Sequence, residues 1–104
     1  MGQVVWTEPA LADLRRILKY IATDAPKSAA KLGTRLVRAS RRLARLPRSG
    51  IRVPEFEEDP IREILVGAYR VIYVIQGETC NVAAIVHASR DLANLLRLEE
   101  WESS

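Results

Sequence analysis

Cysteine is almost missing from this chain: Cys80 is the only one in 104 residues. No intramolecular disulfide can form, and a reducing cytoplasm suits such a chain. A lone cysteine in an apolar stretch reads as a small buried side chain rather than a nucleophile. Histidine is equally scarce, with His87 alone, so no Cys/His set of zinc spacing exists. No glycine-rich phosphate loop is present either. No apolar run approaches the ~20 residues that span a bilayer. The start, "MGQVVWTEP", lacks the basic opening and long apolar segment of a signal peptide. Gly2 is followed by Trp6 where a myristoylation signal needs Ser or Thr. These absences predict one domain over residues 1–104, a cytoplasmic location, no membrane association, no cofactor and no metal site.

What is present is arginine. The net charge is +3, and only three of the 16 basic residues are lysine, which leaves thirteen arginines. Arginine favours planar, bidentate contacts to carboxylate and phosphate. An acidic partner follows, either nucleic acid or an acidic protein segment. With 48% hydrophobic and 28% charged residues, the composition is that of a globular chain.

"QVVWT" (Gln3–Thr7) predicts a short first strand. A helix follows in "TEPALADLRRILKYIATD", with Thr7 as N-cap and Pro9 in the first turn. Leu11, Leu14, Ile17, Leu18 and Ile21 share one face of it, with Arg15, Arg16 and Lys19 opposite. Asp24 is a candidate cap for a second helix, "APKSAAKLGTRLVRASRRLARL", which "PRSG" at Pro47–Gly50 ends. Leu32, Leu36, Ala39, Leu43 and Leu46 lie within about 80° of one another on this helix. Lys31, Arg35, Arg38, Arg41, Arg42 and Arg45 fill about 120° beside them. Such an arc serves either as a solvated face or as a docking surface for carboxylate or phosphate. Val37 falls outside the apolar stripe, and Gly33 suggests close approach of the first helix.

Short strands come next. "IRVPEF" (Ile51–Phe56) is an edge candidate, because Pro54 cannot donate to a ladder. "IREILV" (Ile61–Val66), "YRVIYVIQ" (Tyr69–Gln76) and "TCNVAAIVH" (Thr79–His87) are joined by the two-residue turns Gly67–Ala68 and Gly77–Glu78, so they are antiparallel neighbours. Alternation puts Tyr69, Val71, Tyr73 and Ile75 on one face and Arg70, Ile72 and Val74 on the other. In the last strand it groups Val82, Ala84 and Val86 against Ala83, Ile85 and His87. Both faces are therefore largely apolar, and a helix hairpin covers only one. The second face needs the C-terminal segment, another chain, or both. "SRDLANLLRLEEW" predicts a short third helix capped by Ser89. The fold class is α+β: an N-terminal strand and two-helix hairpin packed on a small antiparallel sheet, in β-α-α-β-β-β order, with a short C-terminal helix.

The ordered set "WTEPALADLRRILKYIATDAPKSAAKL", "LPRSG", "VPEF", "REILVGAYRVIYVI" and "VHASRDL" resembles the ParE/RelE superfamily of toxins from type II toxin–antitoxin modules. The resemblance spans about Val4 to Leu92. It is strongest to the ParE branch, through the tyrosine-rich strand at Tyr69–Ile75 and Val86, His87, Arg90 and Asp91. It implies the same element order, growth arrest on expression, a role in plasmid stability, and neutralisation by a cognate ParD-like antitoxin in a hetero-oligomer. RelE-like members imply a ribosome-dependent mRNA endonuclease. ParE-like members imply inhibition of DNA gyrase by binding, without catalysis.

The nuclease set to test is Arg62, Arg70, His87 and Arg90, with Glu63, Tyr69 and Tyr73 nearby. Histidine is the side chain type most often used as a proton shuttle, which makes His87 the candidate, but a strand-end structural histidine has the same sequence signature. Arg62 and Glu63 are strand neighbours and point to opposite faces. Arg62 and Arg70 are expected to approach across the hairpin, or to pair with Glu55, Glu63 or Asp91. The meander contains no lysine, and no aromatic follows His87 until Trp101, whereas the resemblance to RelE implies several cations and a late stacking residue. The gyrase reading is favoured, with no catalytic residue. A third reading is an inactive module that only binds antitoxin. Target contacts are assigned to Arg62, Arg70, Arg90 and Trp101, and antitoxin contacts to Arg35, Arg38, Arg42 and Tyr73.

Overall fold

A computed structural model describes residues 2–56 and 60–89. Strand β1 (Gln3–Trp6) leads into helices α1 (Glu8–Asp24) and α2 (Pro26–Arg45). A single 3-10 turn at Pro47–Ser49 follows, then β2 (Ile51–Arg52), β3 (Ile61–Val66), β4 (Tyr69–Gln76) and β5 (Thr79–His87). The sheet order is β1-β5-β4-β3-β2. Strand β1 runs parallel to β5, and the other neighbours are antiparallel. The expected α+β class and element order hold. The expected C-terminal helix lies outside the described residues.

Local chemistry explains most boundaries. The Thr7 hydroxyl accepts from the Ala10 N–H at 3.4 Å and donates to the Val82 carbonyl at 2.8 Å, so one side chain caps α1 and ties it to β5. Asp24 does not cap α2. It is the last residue of α1, and Ala25 occupies the N-cap with no side-chain bond. Both two-residue turns open on a glycine with positive φ, Gly67 at 60° and Gly77 at 61°, which hairpins of this length require. Strand β2 stops after Arg52. Beyond it the chain turns, with the Phe56 N–H donating to the Val53 carbonyl at 3.0 Å.

Two apolar clusters sandwich the sheet. The helix-side cluster joins Ala10, Ile17, Leu32, Leu36 and Leu43 to Ile64, Val66, Val71, Tyr73, Cys80, Val82 and Ile85. Burial of each large side chain there contributes about 1.5–3 kcal/mol. The indole N–H of Trp6 donates to Ser40 at 3.1 Å and pins α2 to β1. On the second face Ile61, Ile72, Val74, Ala84 and Val86 pack with Val53 and Phe56. The chain's own residues after β2 thus join the face expected to need the C-terminal segment or another chain.

Two expectations fail, the first of them on register. Ile72 pairs with Ala84 but Tyr73 pairs with Val82, so Ala83 is an extra residue, a β-bulge. The bulge flips the alternation: Val82 and Ile85 both join the helix-side cluster, while Ala84 and Val86 join the other. The Ile85 N–H, beyond the end of β1, donates at 3.0 Å to the carboxylate of Asp13 on α1. The second failure concerns Gly33. A β-carbon there would meet nothing within 4 Å, so close helix approach is not its reason. Gly33→Ala is expected to stabilise the chain by about 0.5–1 kcal/mol, as helix interiors do without a clash. Urea denaturation with an unchanged m-value measures it.

Candidate partner-binding surfaces

Helix α2 is strongly polarised. Its twenty residues hold seven basic side chains and no acidic one. The whole chain has a net charge of +3, so everything outside α2 sums to −4. Arg35, Arg38, Arg42 and Arg45 line one groove with Ala39 and with Ile64, Leu65 and Val66 of β3, about 370 Å³ in volume. All four arginines are exposed, and among the described residues none of them forms an ion pair. The three arginines expected to meet an antitoxin are thus brought together. Leu65 in the same groove is 63% exposed, and sequence reading missed it because its strand reads as buried on both faces.

Tyr73 does not belong to that surface. It is 0% exposed, and its hydroxyl donates to the Pro47 carbonyl at 2.7 Å and accepts from the Gly50 N–H at 3.0 Å. Burial pushes the phenol above its usual value. Gly50 leaves no room for a side chain: a β-carbon would lie 2.6 Å from the Tyr73 hydroxyl and 2.6 Å from the Glu63 carbonyl oxygen. Tyr73 is therefore an internal anchor for the corner after α2.

The cations assigned to the target separate. Arg62 pairs with Tyr73 and Arg70 pairs with Leu65 across β3 and β4, which places the two arginines on opposite faces. They do not approach each other. Arg62 donates to the Gly50 carbonyl at 2.8 Å and bonds the Arg48 carbonyl at 3.5 Å, bracing the same corner. Arg70 is 7% exposed. Its Nε and Nη2 donate to the Glu63 carboxylate at 2.7 and 2.8 Å, and its Nη1 and Nη2 to that of Glu55 at 2.9 Å each. Held by Glu55 and Glu63, the guanidinium is driven still higher in pKa and stays charged. These four bonds engage all three nitrogens of the guanidinium.

His87 is exposed at the end of β5. Its ring meets Tyr69 edge-on at 5.7 Å, and Nδ1 accepts from the Ser89 N–H at 3.2 Å. Its strand partner is Tyr69, four residues along β4 from Tyr73, the partner of Arg62. That spacing is about 13 Å. Arg90 and Trp101 lie outside the described residues. No helix among the described residues is long and apolar enough to cross a membrane.

A second concavity runs along the outside of the hairpin. Trp6, Leu11, Leu14, Leu18, Gly33 and Val37 line about 650 Å³ of mainly apolar space. Val37 is 52% exposed there, in keeping with its place off the core stripe.

An α-helical hairpin on a five-stranded sheet, with an arginine groove at one edge, defines a small basic α+β partner-binding domain. The family model for the ParE toxin of the type II toxin–antitoxin system parDE matches residues 4–92, and the chain belongs to that family. It is 35% identical over 91 residues to Toxin RelE2 of Caulobacter vibrioides, covering 86% of this chain and 99% of that protein. Among solved structures, a chain of the chromosomal ParDE toxin–antitoxin system of P. aeruginosa superposes with a TM-score of 0.70 at 21% identity, covering 86% of this chain and 98% of that one. A chain of the toxin–antitoxin complex RelBE2 of Mycobacterium tuberculosis gives 0.58 at 23% identity, covering 83% and 96%. At these identities the two structures share the fold.

Proposed function

We propose that this toxin acts by binding DNA gyrase in the cytoplasm rather than by cutting mRNA, and that a ParD-like antitoxin neutralises it. The observation that carries this reading is the fate of Arg70. A phosphate-holding cation must present free donors to the substrate, and the Arg70 fork is spent on Glu55 and Glu63. Arg62 sits on the opposite face, and His87 is some 13 Å along the sheet from it. A general acid–base pair needs groups within hydrogen-bond reach of one reacting atom, so this set supports no single nuclease site. The arginine groove supports an acidic antitoxin segment, through Arg35, Arg38 and Arg42.

Growth arrest on induced expression tests the reading residue by residue. His87→Ala, an exposed change, is expected to leave arrest within about twofold of the parent. Loss of a catalytic acid or base typically costs 10²–10⁴-fold, so abolished arrest with a normal fold would favour the nuclease.

A further inference from the structure

We propose that the wedge between α1 and the far ends of β4 and β5 is a small-ligand site for a planar ring bearing an anionic group, as a mononucleotide or an aromatic carboxylate does. The site lies apart from the arginine groove, and it does not depend on which target the toxin takes.

A cleft of about 280 Å³ opens there, lined by Arg16, Ile17 and Tyr20 of α1 and by Tyr69, Ile85 and His87 of the sheet. Its volume is near the lower end of small-ligand sites. Ile17 and Ile85 belong to the core, at 6% and 1% exposure, and give the cleft an apolar floor. Tyr69 and His87 are paired at the end of the β4–β5 ladder. Just beyond them the Ala88 N–H donates to the Ala68 carbonyl at 2.8 Å, which keeps that end of the hairpin closed. The His87 ring meets Tyr69 at an interplanar angle of 78°, a favoured aromatic geometry that sets the direction of the phenol. On the helix side, Arg16 and Tyr20 stand one turn apart and share a face of α1.

The lining chemistry selects the ligand. No residue lining the cleft is acidic. Among the described residues the Arg16 guanidinium bonds only Asp13, through Nη2 at 3.3 Å, and its side chain is 64% exposed. Its other donors are open to a carboxylate or phosphate. Asp13 does not cancel that role, because it is buried and its second oxygen accepts from the Ile85 N–H. Tyr20 is 79% exposed, the highest value for a large apolar side chain among the described residues. One exposed tyrosine needs no explanation. Two tyrosines and an arginine around one cleft suit a ring that packs on the phenols while its anion meets the guanidinium. A bare phosphate would leave both phenols unused, and an uncharged ring would leave Arg16 unused.

The test is an amide NMR titration of the full chain with adenosine monophosphate, indole carboxylate, adenosine and ribose phosphate. At least one of the two ring-bearing anions is expected to saturate with a dissociation constant below about 1 mM, with its largest shifts at the amides of Tyr69, Ile85 and His87. Saturation by adenosine monophosphate alone assigns a nucleotide, and by indole carboxylate alone an aromatic acid. Adenosine and ribose phosphate each lack one half of the ligand and are expected to bind at least about tenfold more weakly. Arg16→Gln and Tyr20→Leu, both changes of exposed side chains, are expected to weaken binding about tenfold each with the fold intact. Arg15→Gln makes the same charge change on the neighbouring residue, outside the cleft, and is expected to leave affinity within about twofold. Equal losses for Arg15→Gln and Arg16→Gln would reduce the binding to general attraction of anions and overturn the proposal. Ribose phosphate that binds as tightly as adenosine monophosphate overturns it too, as does the absence of saturation by either ring-bearing anion.

Discussion

Arg70→Ala is expected to lower unfolding stability by about 3–5 kcal/mol, because it takes the guanidinium from the buried Glu63 carboxylate and from Glu55. Glu63 and Arg70 side chains are 5% and 8% exposed, and Glu55 is 18% exposed, so water cannot replace the lost partner. For a chain of this size the loss corresponds to a fall in melting temperature of at least about 12 °C. Arg70→Lys keeps the charge but not the fork, and is expected to fall between the parent and the alanine variant. Replacing all three residues by apolar ones of similar volume is expected to recover most of the loss, since such buried clusters contribute little net stability when intact. Thermal melts of the four proteins check this. A fall below about 1 kcal/mol for Arg70→Ala would mean the cluster is solvated, and would return Arg70 to the list of free cations.

The second large effect is expected at Asp13. It is 6% exposed, accepts from the Ile85 N–H at 3.0 Å and pairs with Arg16 at 3.3 Å. The ladder between β1 and β5 ends at Trp6 and Val82, so a helix side chain finishes what the strand leaves undone. Asp13→Ala orphans the buried Ile85 N–H, two residues past the bulge, for a loss of about 2–3 kcal/mol. Asp13→Asn keeps an acceptor and is expected to lose less. Arg16→Ala is expected to lose under about 1 kcal/mol, because Arg16 is 64% exposed. Urea unfolding gives the magnitudes. Hydrogen exchange at the Ile85 amide separates the local cause from a general loosening: its protection should fall in Asp13→Ala before that of the β4 amides.

The strands β3, β4 and β5 were legible to the residue because two glycine-led turns punctuate them. The same turn arithmetic already sets Arg62 opposite Tyr73, so the opposite faces of Arg62 and Arg70 were present in the sequence and follow once the register is counted. The rest depended on distance. Parallel pairing of β1 with β5 joins residues at opposite ends of the chain, and no local pattern encodes it. The bulge at Ala83 has no glycine or proline to announce it, and two residues further on the Ile85 N–H is satisfied by Asp13. That aspartate sits beside the apolar arc of α1, which was the available signal. Tyr73 looked like a docking residue because alternation cannot tell a covered face from an open one. The arginines of α2 were legible as a group, since a helix with seven bases and no acid must leave charge uncompensated.

We propose a toxin that inhibits by binding. The most direct measurement is a paired assay on the purified chain: gyrase supercoiling with a DNA-cleavage readout, beside mRNA cleavage in a translating extract. Blocked supercoiling with intact mRNA is the predicted result. Cleaved mRNA with unaffected gyrase would contradict the account, and would require Arg62, His87 and the residues beyond Ser89 to form a site that Arg70 does not join.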